Sequence, residues 1–306
     1  MTTQASAPAA AAAAAGFDRS ALERAAPGLR ERLREDASTR VLLVRGDAVE
    51  LTDGTALRWR SAAEVPDDAL WAFLGRDTHE RALLMARVDA DGLADGAWGS
   101  LRTVGGVLSA DEADVLTTAT SLARWLADSA YCPRCGAATE VENAGWSRRC
   151  VGCGAEHFPR TDPAVIVAVT SASAPARLLL GSNALWGANR FSCFAGFVEA
   201  GESAEAAVER ELFEEAGVRV RDVQYQRSQS WPYPRSLMLG FRARAVADDE
   251  VRPDGDEIAA VRWFSRAEIG EALERGDWVA GGDGLLLPGS ASIARRLIAD
   301  WYAETA

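Results

Sequence analysis

Three glutamates in one short run carry the strongest chemical signal in this chain. Glu211, Glu214 and Glu215 stand at i, i+3 and i+4 within Arg210-Glu211-Leu212-Phe213-Glu214-Glu215-Ala216-Gly217-Val218. On a helix that spacing puts all three on one face. Carboxylates this close repel unless a cation neutralises them, and hard oxygen donors suit Mg²⁺ or Mn²⁺. Such a cation offsets the charge of a pyrophosphate, polarises its phosphorus and lowers the pKa of an attacking water. The plainer alternative is a solvated helix on which Arg210 and Glu214 make an ordinary i, i+4 ion pair. A second cluster is softer. Cys132-Pro-Arg-Cys135 and Cys150-Val-Gly-Cys153 are two CxxC pairs, each followed by a glycine suited to a tight knuckle. Two knuckles aiming four thiolates at one point make a tetrahedral zinc site. A redox disulfide is the other reading of a CxxC pair, but two pairs at ribbon spacing favour zinc. With all four ligands from protein, the zinc is structural and has no position for an activated water. Cys193, in the apolar Phe191-Ser192-Cys193-Phe194, reads as a buried core thiol. His79 and His157 are the two histidines, too few for a His-rich metal centre and poor support for a Ser-His-Asp triad.

The elements that must hold these groups follow from pattern. Gly196 and Gly201 permit a tight loop before the glutamate helix, Ser203 caps it, and Gly217 ends it in the left-handed region. Ala204, Val208 and Leu212 form its core-facing side. The continuous apolar run 164–169 predicts a buried strand, 178–180 a second, and the segments 223–226, 237–245 and 261–264 further strands. A closing helix is expected over 292–302, with Ile293, Leu297, Ile298 and Trp301 on its apolar face. Upstream, 41–44 and 82–88 read as strands and 109–128 as a helix capped by Ser109. That upstream region shows no chemical motif, so a scaffold or dimerisation role is its default. Residues 129–158 are rich in Cys and Gly and short of helix or strand pattern.

Composition narrows the class. The 306 residues suffice for about two domains of ordinary size. The net charge of −12 argues against broad attraction to a nucleic-acid backbone. There is no apolar stretch long enough to span a membrane. The alanine run 9–15 lacks a basic start and a bulky apolar centre, so residues 1–16 are expected to be a disordered tail rather than a signal peptide, and the protein to be cytoplasmic.

From Gly196 to Val218 the sequence resembles the Nudix box, GX5EX7REUXEEXGU with U aliphatic, at every fixed position. Just beyond it, Ser228-Gln229-Ser230-Trp231-Pro232-Tyr233-Pro234-Arg235-Ser236 resembles the SQPWPFPxS motif of the NADH pyrophosphatase family, also called NAD-capped RNA hydrolases. Ser230 replaces a proline there, and Tyr233 a phenylalanine. The four-cysteine segment, His157-Phe158-Pro159-Arg160 and the stretch 292–298 are similar as well, so the resemblance covers roughly residues 130–300. It implies an α/β (α+β) chain: an N-terminal α/β domain at 17–128, a zinc ribbon at 129–158, and a Nudix α/β/α sandwich at 159–306.

The resemblance also implies roles. Cys132, Cys135, Cys150 and Cys153 bind zinc. Glu211, Glu215 and Glu257, with the Ala195 carbonyl and Glu214 as further candidates, hold catalytic Mg²⁺ or Mn²⁺, and Glu215 orients or deprotonates the attacking water. Gln229, Ser230, Trp231, Pro232, Tyr233, Pro234, Arg235, Ser236 and Ala294 line the substrate pocket. Phe158 and Phe197 are candidates to stack on a base or nicotinamide ring, worth about 1–3 kcal/mol per base; Phe158 reads equally as a core residue. The implied reaction is hydrolysis of NADH or NAD⁺ to NMN(H) and AMP, and removal of NAD caps from RNA, by a homodimer. Two other readings stand beside it: a pyrophosphatase for other nucleoside diphosphate derivatives such as ADP-ribose, and a non-catalytic dinucleotide sensor whose ribbon binds nucleic acid or a partner.

Overall fold

The computed structural model describes residues 17–89, 96–248, 251–276, 278 and 283–304. The alanine-rich stretch 1–16, expected to be a tail, lies outside them. Two sheets dominate, and each is covered on both faces, which is why their central strands are unbroken apolar runs.

The first sheet has eight strands. At its centre Arg40–Arg45 runs parallel to Ala82–Arg87, which pairs antiparallel with Leu70–Asp77. Alternate residues of 40–45 face opposite layers. Leu42 and Val44 pack beneath the long helix Ala110–Asp128, against Leu116, Ala119 and Leu122. Val41 and Leu43 pack beneath the short helix Leu29–Glu35, against Leu29 and Leu33. Ser109 caps the long helix as expected: its hydroxyl accepts from the Glu112 amide while the Glu112 carboxylate accepts from the Ser109 amide.

The cysteine-rich segment is more regular than its sequence suggests. It forms a three-stranded antiparallel sheet from Thr139–Glu142, Ser147–Cys150 and Glu156–His157. Strands of two to four residues are too short to show a period, so pattern missed them. Buried polar contacts bind this sheet to the first. Arg148 donates to Thr139 and to the Leu126 carbonyl, and the Trp146 indole donates to the Phe73 carbonyl at 2.6 Å.

The second sheet has six strands, ordered Val220–Trp231, Ser236–Ala245, Asp162–Thr170, Arg177–Asn183 and Ile258–Ser265, with Phe194–Phe197 also pairing with 162–170. Val165, Val167 and Val169 face the helix Ala204–Ala216 through Ala207, Val208 and Leu212. Ile166 and Ala168 face the other way, toward the helices Arg266–Arg275 and Ile293–Ala303. This is the expected α/β/α sandwich. The strand expected at 223–226 is longer than its pattern shows and takes in 228–231 of the motif segment. It is a 12-residue edge strand whose outward face is exposed, so it carries no apolar alternation, and only 232–235 form the turn.

Candidate active site

The helix Ala204–Ala216 begins at Ser203, whose hydroxyl accepts from the Ala206 amide, and ends at Gly217 with φ 68°. Val208 and Leu212 are fully buried, and each contributes about 1.5–3 kcal/mol to holding the helix on the sheet. That anchoring lays Glu211 against the strand Phe194–Phe197. Gly196 is not a turn residue as expected. It lies within the strand Phe194–Phe197, and a Cβ there would overlap the Glu211 carboxylate, so glycine is required for close approach. Gly201, at φ 88°, is the turn glycine.

Arg210 organises the loop and helix together. Its guanidinium makes five hydrogen bonds, matching its five donors: two to Glu202 at 2.9 Å, one to the Phe197 carbonyl, one to Glu211 at 2.9 Å and one to Glu214 at 3.0 Å. The i, i+4 pair with Glu214 therefore exists, but as one arm of a larger clamp. Arg210 and the Glu199 amide hold the Glu202 carboxyl down at about 2.

Glu215 behaves differently. It is 5% exposed, and its Oε2 is buried without a hydrogen-bond partner. Burial, then the nearby charges of Glu211, Glu257, Asp254 and Glu214, push its carboxyl up to about 8. Burial also raises Glu211, against the pull of Arg210. A buried carboxylate with an orphaned oxygen among other carboxylates is what a divalent cation fits. Glu257 approaches from the loop before the strand Ile258–Ser265. That loop is held by Asp254, whose Oδ1 accepts from the amides of Asp256, Glu257 and Ile258. Sequence reasoning passed over Asp254, although Asp-Gly is a recognisable turn signal.

Glu211, Glu215 and Glu257 line one cavity of about 430 Å³ with Ala195, Phe197, Trp231, Tyr233 and Ser236. Ala164, Glu199, Arg210 and Met238 also line it and were not anticipated. Phe197, Ala164 and Met238 are neighbours in one cross-strand row, so the sheet itself forms that wall.

The remaining candidates do not reach this cavity. Glu214 points outward with its side chain 57% exposed. Gln229 is a strut: its amide donates to the Ala291 carbonyl and accepts from the Ile293 amide, both at 2.7 Å, bracing the start of the last helix. Ser230 lines a separate cleft with Arg19 and Arg160, because alternate strand residues face opposite sides, and Arg235 of the turn joins that cleft. Pro232 is buried, and Pro234 is exposed on the turn. Ala294 is 2% exposed in the core, near Cys193, whose thiol burial pushes up to about 12. Phe158 is 55% exposed in another cavity, with Trp125, Tyr131 and His157.

The four cysteines of the ribbon are free thiols, and their sulfurs all lie within 4.8 Å of one another. The close contacts cross between pairs, at 3.8 Å for Cys132 and Cys153 and 3.4 Å for Cys135 and Cys150. Ligands 2.3 Å from a tetrahedral zinc stand about 3.8 Å apart, so the set fits structural zinc and not a CxxC disulfide. His157 lies 3.3 Å from Cys132 Sγ.

The comparisons agree with this geometry. The NUDIX domain model matches residues 160–281, and the NADH pyrophosphatase zinc ribbon model matches residues 127–158. The "NAD-capped RNA hydrolase NudC" of Mycobacterium tuberculosis is 39% identical over 302 residues, covering 95% of this chain and 89% of that protein. Its counterpart from Mycobacterium bovis matches to the same extent. The human "NAD-capped RNA hydrolase NUDT12" is 39% identical over 202 residues, covering 63% of this chain and 42% of that protein. The chain is a zinc-ribbon Nudix hydrolase and belongs to the NAD-capped RNA hydrolase family.

Proposed function

We propose that this enzyme cleaves the pyrophosphate of NADH and NAD⁺ to NMN(H) and AMP, and removes NAD caps from RNA 5′ ends. The observation that carries the chemistry is the buried Glu215 carboxylate, with its unpartnered Oε2, in a cavity walled by Phe197, Trp231 and Tyr233. Glu211, Glu215 and Glu257, with the Ala195 carbonyl, would hold Mg²⁺ or Mn²⁺; exposed Glu214 is a peripheral candidate. Such a cation supplies charge neutralisation of the diphosphate and acidification of water. A bound cation would draw the Glu215 carboxyl into its charged form, in which it would orient or deprotonate the attacking water. Water oxygen bonds to one phosphorus as the bridging P–O bond breaks, and the second phosphate leaves. Phe197, Trp231 and Tyr233 offer faces for the flat rings at either end of the dinucleotide.

We read residues 17–128, 129–158 and 159–306 as three folding units of a cytoplasmic homodimer. Among the described residues no helix is long and apolar enough to cross a membrane. Product analysis by mass, with NADH, ADP-ribose and NAD-capped RNA side by side in Mg²⁺ or Mn²⁺, tests the substrate. NMNH and AMP from NADH, and 5′-monophosphate RNA from capped RNA, are expected; faster turnover of ADP-ribose than of either would overturn the assignment.

A further inference from the structure

The upstream region shows no chemical motif in sequence, yet it touches the cavity wall. Tyr233 lines the cavity with Glu211 and Glu215, and its hydroxyl accepts a hydrogen bond from the Leu101 amide at 3.0 Å. The exposed Arg102 guanidinium lies 4.3 Å from the centroid of the same ring. Arg124, on the long N-terminal helix, reaches the Pro232 carbonyl at 3.5 Å. Trp231 stacks edge-on against Tyr233 at 5.3 Å, and both rings pack against the core built by Leu101, Val104 and Leu122. The same N-terminal segment also meets the residues just before the helix Ile293–Ala303. A Cβ on Gly105 would crowd Ala291, and one on Gly106 would meet Ser290, so the chain lies flush against the residues that Gln229 braces.

We propose that the N-terminal sheet unit sets the affinity of the active site, with the Leu101 amide and the Arg102 guanidinium acting as positioning groups for Tyr233. The hydroxyl is the residue's departure from the phenylalanine of the motif it resembles, and it creates a latch that phenylalanine has no atom to make. The ring then holds one place at the cavity wall, and the dinucleotide binds a preformed surface rather than ordering the turn itself. This rests on the reading of Trp231, Tyr233 and Ser236 as the substrate wall.

The test uses the full chain and steady-state hydrolysis of NADH in Mg²⁺. Tyr233→Phe keeps the ring and removes one hydrogen bond, so KM should rise about 2- to 10-fold. Arg102→Ala removes an exposed cation–π contact and should raise KM about 2- to 5-fold, with Arg102→Lys restoring most of it. In both, kcat should change far less than KM. The double variant should fall short of the product of the two effects, because both act through one ring. If Tyr233→Ala raises KM while Tyr233→Phe and Arg102→Ala do not, the ring walls the site but the latch does not set it, and the proposal fails. If Tyr233→Ala also leaves KM unchanged, the turn is not a substrate wall and both readings fall. A loss confined to kcat overturns the proposal as well.

Discussion

The ribbon fits structural zinc, the glutamate pocket is proposed to hold Mg²⁺ or Mn²⁺, and the two are organised in opposite ways. In the ribbon, two knuckles bring four sulfurs within 4.8 Å, and each thiol is close to another. In the pocket, the carboxylates stand around a cavity instead of converging, and Arg210 draws Glu202, Glu211 and Glu214 to itself. The physical difference is charge. A thiol can be neutral and pack beside its neighbours, whereas clustered carboxylates repel until a cation or arginine answers them. The lesson is that a closed structural site can be shaped by backbone turns alone, while an open catalytic site needs a counter-charge network to hold its acids ready.

That contrast can be broken by substitution. Glu215→Gln keeps shape and hydrogen-bonding capacity but removes the base, so kcat for NADH should fall by about 10²–10⁴ while zinc content and fold persist. Activity at the parent rate would sink the role given to Glu215. Cys150→Ser should act the other way: zinc measured by mass spectrometry of the metal content drops, and the thermal midpoint falls by many degrees, because ligand loss removes binding energy that is folding energy. Arg210→Ala leaves Glu202, Glu211 and Glu214 without their shared partner. We expect kcat/KM to fall by roughly one to two orders of magnitude, in line with loss of several charge-assisted hydrogen bonds.

A smaller effect appears in pH. Glu215 has a folded pKa of about 8, above the ordinary carboxylate value of about 4.5. Between those values the folded chain keeps a proton that the unfolded chain has released. Its contribution to stability is therefore present below about pH 4.5 and is lost as pH rises toward 8 and beyond. In protein stripped of divalent cations but not zinc, the Glu215→Gln variant should gain stability relative to the parent as pH climbs through that window. A difference in melting temperature that stays constant from pH 5 to 8.5 would remove the buried, unneutralised carboxylate from the account. Glu214→Gln should matter least, lowering kcat only a few-fold, because its side chain points outward and the glutamine oxygen can still accept from the Arg210 guanidinium.

Much of this was legible in advance because it is local. The run 164–169 reads as a strand since both of its faces are buried, and Ser203 and Gly217 mark their helix ends because caps are made by adjacent atoms. The strand 228–231 was not legible, since an exposed edge strand has no apolar face to announce it. Gln229 looked like a pocket residue by motif, and only the approach of residues 291 and 293, over 60 positions away, makes it a strut. Gly196 looked like a turn and is a clearance for the Glu211 carboxylate.

By itself the sequence determined the reaction class, the four sulfurs and the helix that presents three glutamates, because each rests on spacing within one continuous segment. Only the tertiary structure decided which glutamate is buried and which is turned outward. It also decided which motif residues face the cavity and that an upstream segment without any motif holds Tyr233. Burial and long-range contact depend on elements distant in sequence meeting in space, and no local spacing encodes that meeting.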